Sequence, residues 1–276
     1  MKRILILLLS VWPALAFADT PQTELSEKYL KYIEQADSAI KESNWAQAEA
    51  LYLQATRLEP ANPANIMLLS NVGMMRHYSG RDSLALDILD TAIRMAPSAV
   101  VLRLNRASIL TSIGQFDNAL NEYYKVSSLD STIAEPHFMR AIIHLQRGKL
   151  NECTLEVDTL QQRFPSDRMT WTASSYLYIT QKKYLEAIPM LNKLIDNNPD
   201  ATDYGERGYC HLMCDNLNEA STDIAEAIRL DPLNGDFYLY RALLNKRRYR
   251  PNEAADDVKQ AHKLGVSAQK VSLLGL

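Results

Sequence analysis

Glycine and cysteine are both scarce in this chain. Nine glycines in 276 residues offer no Gly-rich phosphate loop and no nucleophile elbow. Three cysteines, Cys153, Cys210 and Cys214, lack the number and the spacing of a disulfide framework or a zinc site. Cys210 and Cys214 stand four apart on one helix, where regular geometry disfavours a bridge, and Cys153 fills a small core slot. All three are expected as free, largely buried thiols. The five histidines, His77, His137, His144, His211 and His262, show no metal spacing on any one helix and are expected as surface or packing residues. Basic and acidic residues number 30 and 33, a net charge of −3, so no basic surplus points to nucleic acid. These absences predict no metal, no cofactor and no catalytic residue. An unrecognised enzyme, the alternative, needs a polar pocket of convergent titratable groups, and no motif announces one.

The longest apolar run lies at the start. Lys2 and Arg3 precede Ile4 to Ala16, and Ala16-Phe17-Ala18 is a small-x-small cleavage site. Residues 1–18 therefore read as a signal peptide and the mature chain as starting at Asp19. A retained N-terminal anchor is the alternative. Cleavage predicts an exported protein, periplasmic or secreted if the source is bacterial. No Cys follows the site for a lipid anchor, and no membrane span is expected once the leader is removed. Residues 19–28 form a polar segment.

The remainder is organised around the stretch Tyr204 to Pro232. Tyr204, Gly208 and His211 share one helical face, and Ala220, Ile224 and Ala227 share another. The segment between them is short and polar. Asn216 and Glu219 are spaced as a capping box, and Pro232 stops the second helix. Gly208 and Ala220 are small where the two helices cross. This pattern resembles a tetratricopeptide repeat, a helix–turn–helix of about 34 residues, through Tyr204, Gly208, Ala220, Ile224, Ala227 and Pro232.

The pattern recurs along the chain. The small residue opening each second helix is Ala48, Ala85, Ala119, Cys153, Ala187, Ala220 and Ala254, in steps of 37, 34, 34, 34, 33 and 34. Seven residues after the anchors come Ala55, Ala92, Val126, Leu160, Leu194, Ala227 and Ala261. Twelve before them come Ala36, Gly73, Ala107, Ala141, Ser175, Gly208 and Ala242. The resemblance thus covers residues 29–268 as seven repeats and implies an all-α solenoid, a right-handed superhelix. The extra residues of the first step fall in the turn at Pro60–Pro63, Asn44 and Gln47 form a second cap-like pair, Pro189 is expected to bend its helix, and Gly265 stops the last one. Residues 269–276 are a short apolar tail, expected as a partial cap.

One charge register runs through the repeats. Arg106, Arg140, Arg207 and Arg241 share a slot on the first helices of repeats three, four, six and seven. Sixteen residues later stand Glu122, Glu156, Asp223 and Asp257. Repeats one, two and five carry Gln35, Val72 and Ser174 there, with Leu51, Ile88 and Met190 at the partner slot. Arginine and acid come and go together, which predicts an Arg–carboxylate pair inside each repeat rather than an arginine ladder facing an anionic ligand.

The resemblance also implies a use. In that family the first helices line a concave groove that binds peptides or proteins. By register the groove residues are Met74, Tyr78, Ser108, Phe138, Ile142, Tyr176 and Tyr209. They are apolar and aromatic, not the lysines, asparagines and arginine of the family's anion-clamping groove, so an acidic C-terminal tail is not the expected ligand. Lys246-Arg247-Arg248-Tyr249-Arg250 reads as a solvated turn or a contact for an anionic surface. The expectation is a non-catalytic envelope scaffold for a protein or peptide partner. The alternative is a structural protein that dimerises through its C-terminal repeat.

Overall fold

The computed structural model describes residues 26–276. The signal peptide expected at 1–18 and most of the polar segment at 19–28 lie outside the described residues. Fifteen α-helices and no strand are found among the described residues, so the protein is all-α. The described residues open with the packed pair α1 (Glu27–Lys41) and α2 (Trp45–Leu58); α3 (Asn65–Tyr78) and α4 (Asp82–Met95) follow in sequence, and then α5 (Val100–Ser112) packs with α6 (Phe116–Leu129) and α7 (Glu135–Gln146) with α8 (Leu150–Arg163). Then come α9 (Arg168–Thr180) with α10 (Tyr184–Asn197), α11 (Ala201–Met213) with α12 (Leu217–Leu230), and α13 (Gly235–Arg247) with α14 (Pro251–Lys263). The short α15 (Ala268–Leu273) follows. Two compact units divide the chain, one ending at Met75 and one running from Arg76 to Leu276.

Small residues explain the pairing. Ala48, Ala85, Ala119, Ala187 and Ala220 are wholly buried, as are Ala55, Ala92, Val126, Ala227 and Ala261 seven residues on. A side chain of one or a few carbons at these slots lets two helices approach closely, and the apolar faces beside them supply the buried area. Gly208 marks the close crossing of α11 and α12. A Cβ added there lies 2.8 Å from the Ile224 side chain and 3.2 Å from the Ile224 backbone nitrogen, so only glycine admits α12 at that distance from α11.

The turn inside each pair is also repeated. Five residues before each anchor the backbone is left-handed: at Gly80, Gly114 and Gly148, and at the non-glycines Ser43, Lys182, Asp215 and Tyr249 with φ between 58° and 64°. The next N–H donates back to the first helix, as from Gln115 to the Leu110 carbonyl at 2.8 Å and from Arg250 to the Asn245 carbonyl at 2.9 Å. This tight turn leaves the N-cap residue with ψ near 70°, which aims its side chain poorly. Asn44 still accepts from the Gln47 N–H, at a long 3.3 Å. Asn216 holds the N-cap position of α12 but makes no side-chain cap bond, contrary to the capping box expected there. Pro189 lies exposed on α10, which continues past it.

In the first unit, the buried Tyr29 hydroxyl donates to Asn65 Oδ1 at 3.0 Å, and Asn65 Nδ2 donates to the Glu59 carbonyl at 2.7 Å. Burial, reinforced by the Glu59 charge, pushes the Tyr29 hydroxyl up to about 12. At the other end, α14 stops at Lys263, Gly265 takes φ 90°, and α15 folds back so that Val271 packs with Leu239 and Ala261. Leu274 and Leu276 pack on the same cluster.

Candidate functional site

The arginine register resolves into ion pairs whose acids, Glu122, Glu156, Asp223 and Asp257, are all buried. Arg140, 2% exposed, spans α7 to α8 with Nε 2.8 Å from Glu156 Oε1 and a terminal nitrogen 2.8 Å from Oε2. Its other nitrogen donates to the Tyr123 carbonyl and to Ser127 Oγ, and its plane lies 4.2 Å from the Tyr124 ring centroid. Arg207 grips Asp223 at 2.8 and 2.7 Å beneath Tyr204, and Arg241 grips Asp257 at 3.0 and 2.6 Å beneath Tyr238. Repeat three differs. Glu122 is held at 2.9 Å by Arg103 and by Lys125, while Arg106 reaches it only at 3.5 Å and turns to Asp90 at 2.6 Å. Burial alone raises the Glu156 pKa, but hydrogen bonds from His137 and Arg140 and the Arg140 charge outweigh it and hold the carboxylate below its ordinary range. Arg140, Arg207 and Arg241 each grip the acid of their own repeat, Arg140 buried and Arg241 the most open of the three.

The groove residues scatter. Met74 is half-buried in the first unit. In the second, Tyr78 and Ser108 are exposed, while Phe138 packs against the core around Ala141, Cys153 and Leu177. Ile142 is half-buried. Phe138 is therefore inter-repeat packing, because its slot lies on the side of α7 that meets the next pair. Tyr176 and Tyr209 are half-buried on α9 and α11, and they belong to a larger group.

That group joins α9, α11 and α13. Gly205 brings α13 close: a Cβ there overlaps the Phe237 ring at 2.3 Å. The approach lets Tyr209 and Tyr240 stack, centroids 4.9 Å apart, with Tyr184 edge-on to Tyr209 at 5.8 Å. Tyr240 donates its hydroxyl to Glu206 Oε1 at 3.2 Å. On either side, Arg168 pairs with Asp203 at 2.6 Å and Lys270 with Asp236 at 2.7 Å. Burial raises the Glu206 carboxyl above its ordinary range; the Tyr176 and Tyr240 hydroxyls rise through burial first and the Glu206 charge after it, and Tyr209 through burial first, then Tyr184 and then Glu206. Glu206 and Tyr240 were missing from the residues read by register. The available signal was their separation of 34, one repeat period.

The remaining candidates have structural duties. No disulfide forms. Cys153 and Cys210 are buried, while Cys214 is half-exposed at the C-cap of α11. Burial pushes the Cys153 thiol up to about 11 and the Cys210 thiol higher still. His137 Nδ1 lies 2.8 Å from Glu156, His77 lies 2.5 Å from Asp82, and His262 Nδ1 lies 2.9 Å from the Val266 carbonyl. In the basic turn, Lys246 donates to the Gly275 carbonyl, Arg247 pairs with Asp215 at 3.3 Å, and Arg248 donates to the Leu217 carbonyl at 2.8 Å. Three of its four cations thus hold neighbouring elements, and the run is largely internal bracing.

Paired helices on a period of about 34 residues, packed through small-residue crossings, define a helical-repeat protein. Residues 170–201 match the family model for the tetratricopeptide repeat. A tetratricopeptide repeat protein from Parabacteroides merdae superposes with a TM-score of 0.68 at 24% identity, over 90% of this chain and 97% of that one. A chain of the APC/C hetero-tetramer Cut9-Hcn1 superposes with a TM-score of 0.67 at 14% identity, over 88% of this chain and 54% of that one. ER membrane protein complex subunit 2-A of Xenopus laevis is 24% identical over 159 residues, 56% of this chain and 54% of the relative. The chain spans about half the length of the curated relatives it matches. Residues 170–201 are thus matched as a tetratricopeptide repeat, and the chain as a whole shares the all-α helical-repeat fold of tetratricopeptide-repeat proteins.

Proposed function

We propose that this chain is a non-catalytic scaffold of the cell envelope that holds a protein or peptide on the first-helix face of α9, α11 and α13. The carrying observation is the half-open tyrosine band of Tyr176, Tyr209 and Tyr240 around a carboxylate. Aromatic rings that are rigid, amphipathic and partly uncovered are the usual anchors of a protein interface. The envelope assignment rests on the leader read at residues 1–18. Membership of a multi-subunit body is the role named for two of the similar proteins, and it agrees with a scaffold. Self-association through the C-terminal repeat is less well supported, because Val271, Leu274 and Leu276 turn inward and Leu273 is the strongly exposed leucine of α15.

The test is capture from envelope extract by the mature chain, beside a Tyr176→Ala, Tyr209→Ala variant shown by circular dichroism to stay folded. Capture by the wild type that the variant loses supports the face. Capture unchanged by the variant moves the interface elsewhere on the molecule. A dimeric mass with nothing captured favours self-assembly instead.

A further inference from the structure

We infer that Glu206, walled by Tyr176, Tyr209 and Tyr240, is the seat for one cationic side chain, arginine or lysine, of the bound partner. The inference rests on the proposed partner-binding role of this face and specifies its chemistry.

The chain shows three times over how it seats a cation. Arg140 lies between Glu156 and the Tyr124 ring, Arg207 between Asp223 and Tyr204, and Arg241 between Asp257 and Tyr238. Each seat is a carboxylate plus an aromatic face, which attracts a cation through its quadrupole. Glu206 with Tyr209 and Tyr240 supplies the same two parts. Among the described residues, no arginine or lysine makes an ion pair with it; the Lys270 charge reaches it, but that ammonium is paired to Asp236. Its neighbours on the same face are already neutralised within the chain, Asp203 by Arg168 and Asp236 by Lys270. Glu206 is thus the acid here whose partner is a phenol hydroxyl alone.

Energetics point the same way. Burial raises the Glu206 carboxyl, so keeping it charged costs the folded state free energy. A guanidinium or ammonium laid over the tyrosines relieves that cost, and the low local dielectric strengthens the contact. One carboxylate with a phenol is a poor donor set for a divalent metal, which wants several oxygens. The unpaired Glu206 carboxylate itself repels phosphate, so a nucleic-acid or phospholipid headgroup does not fit.

The experiment uses the full mature chain with ring-labelled tyrosines and two short blocked peptides of glycine. One carries a central arginine, the other the neutral isostere citrulline. NMR titration is expected to give saturable shifts at Tyr209 and Tyr240 with the arginine peptide and about tenfold weaker binding of the citrulline peptide, the loss of a charge-assisted contact. Glu206→Gln, which keeps the shape and can still accept from Tyr240, is expected to abolish the difference between the peptides. Equal affinity of wild type for both peptides, or no saturation by the arginine peptide, overturns the inference. Neither result touches the broader reading, which stands or falls separately on partner capture by the Tyr176→Ala, Tyr209→Ala variant.

Discussion

Glu156→Ala is expected to damage this protein more than its modest size suggests. The change strips Arg140 of both its bidentate bonds while the guanidinium stays buried. Breaking a buried pair from one side costs about 3–5 kcal/mol, because an uncompensated charge is left behind. For a chain of this size that is a fall in Tm of roughly 6–20 °C, at about 2–4 °C per kcal/mol. Arg140→Met should cost a comparable amount, since Glu156 then keeps only His137 at 2.8 Å. The double variant Arg140→Met, Glu156→Leu is the informative one. It makes repeat four resemble repeat two, where Val72 and Ile88 occupy the same slots. It leaves Ser127 and His137 without their arginine, so it should still cost about 1–3 kcal/mol, the penalty of unpaired buried polar groups. The expected result is strong non-additivity, with the double variant more stable than either single one. Urea denaturation followed by circular dichroism reads all three. If the double variant loses the sum of the two single losses, the residues are not a coupled pair and the account of the register is wrong.

Acid should uncouple the same pair. Glu156 is held below its ordinary range when folded, so its contribution is complete above the unfolded carboxylate value of about 4.3 and drains as pH falls through the lower folded value; the double variant should show a flatter stability profile below pH about 5. Glu206 behaves oppositely. Its folded value is raised, so its cost appears as pH rises above the unfolded range, with Tyr240, Asp203, Asp236 and Lys270 as the groups facing it. Glu206→Gln should therefore stabilise the chain near neutral pH and change nothing below pH about 4, measured by thermal melts across pH. At the left-handed turn position, Lys182→Gly and Tyr249→Gly should each gain up to about 1 kcal/mol by removing the strain of a side chain at positive φ, and Gly114→Ala should lose about that much in the same denaturation assay.

Architecture and site are written in different ways in this chain. Helix crossings need the same small residue every period, so Ala85, Ala119, Ala187 and Ala220 stand out in the sequence and lie wholly buried in the fold. The left-handed turn is equally periodic but less visible, because Gly80, Gly114 and Gly148 share the position with Ser43, Lys182, Asp215 and Tyr249. Phe138 looked like a groove residue because groove and inter-repeat packing draw on adjacent positions of one helix, and spacing alone does not separate them. The basic turn looked free because residue type shows the charge and only the fold shows Asp215 and the Leu217 carbonyl beneath it. The slot just before the arginine register holds Asn105, Met139, Ala173, Glu206 and Tyr240 in successive repeats. Packing accounts for part of that variety, since Ala173 lies in one core cluster and Met139 packs against another, while Asn105, Glu206 and Tyr240 are half-buried. Aligning repeats brings forward what is common to them and suppresses such positions. A partner touching several repeats at once would meet a different side chain in each, so under the proposed function the slot that fails to repeat is where specificity is sought.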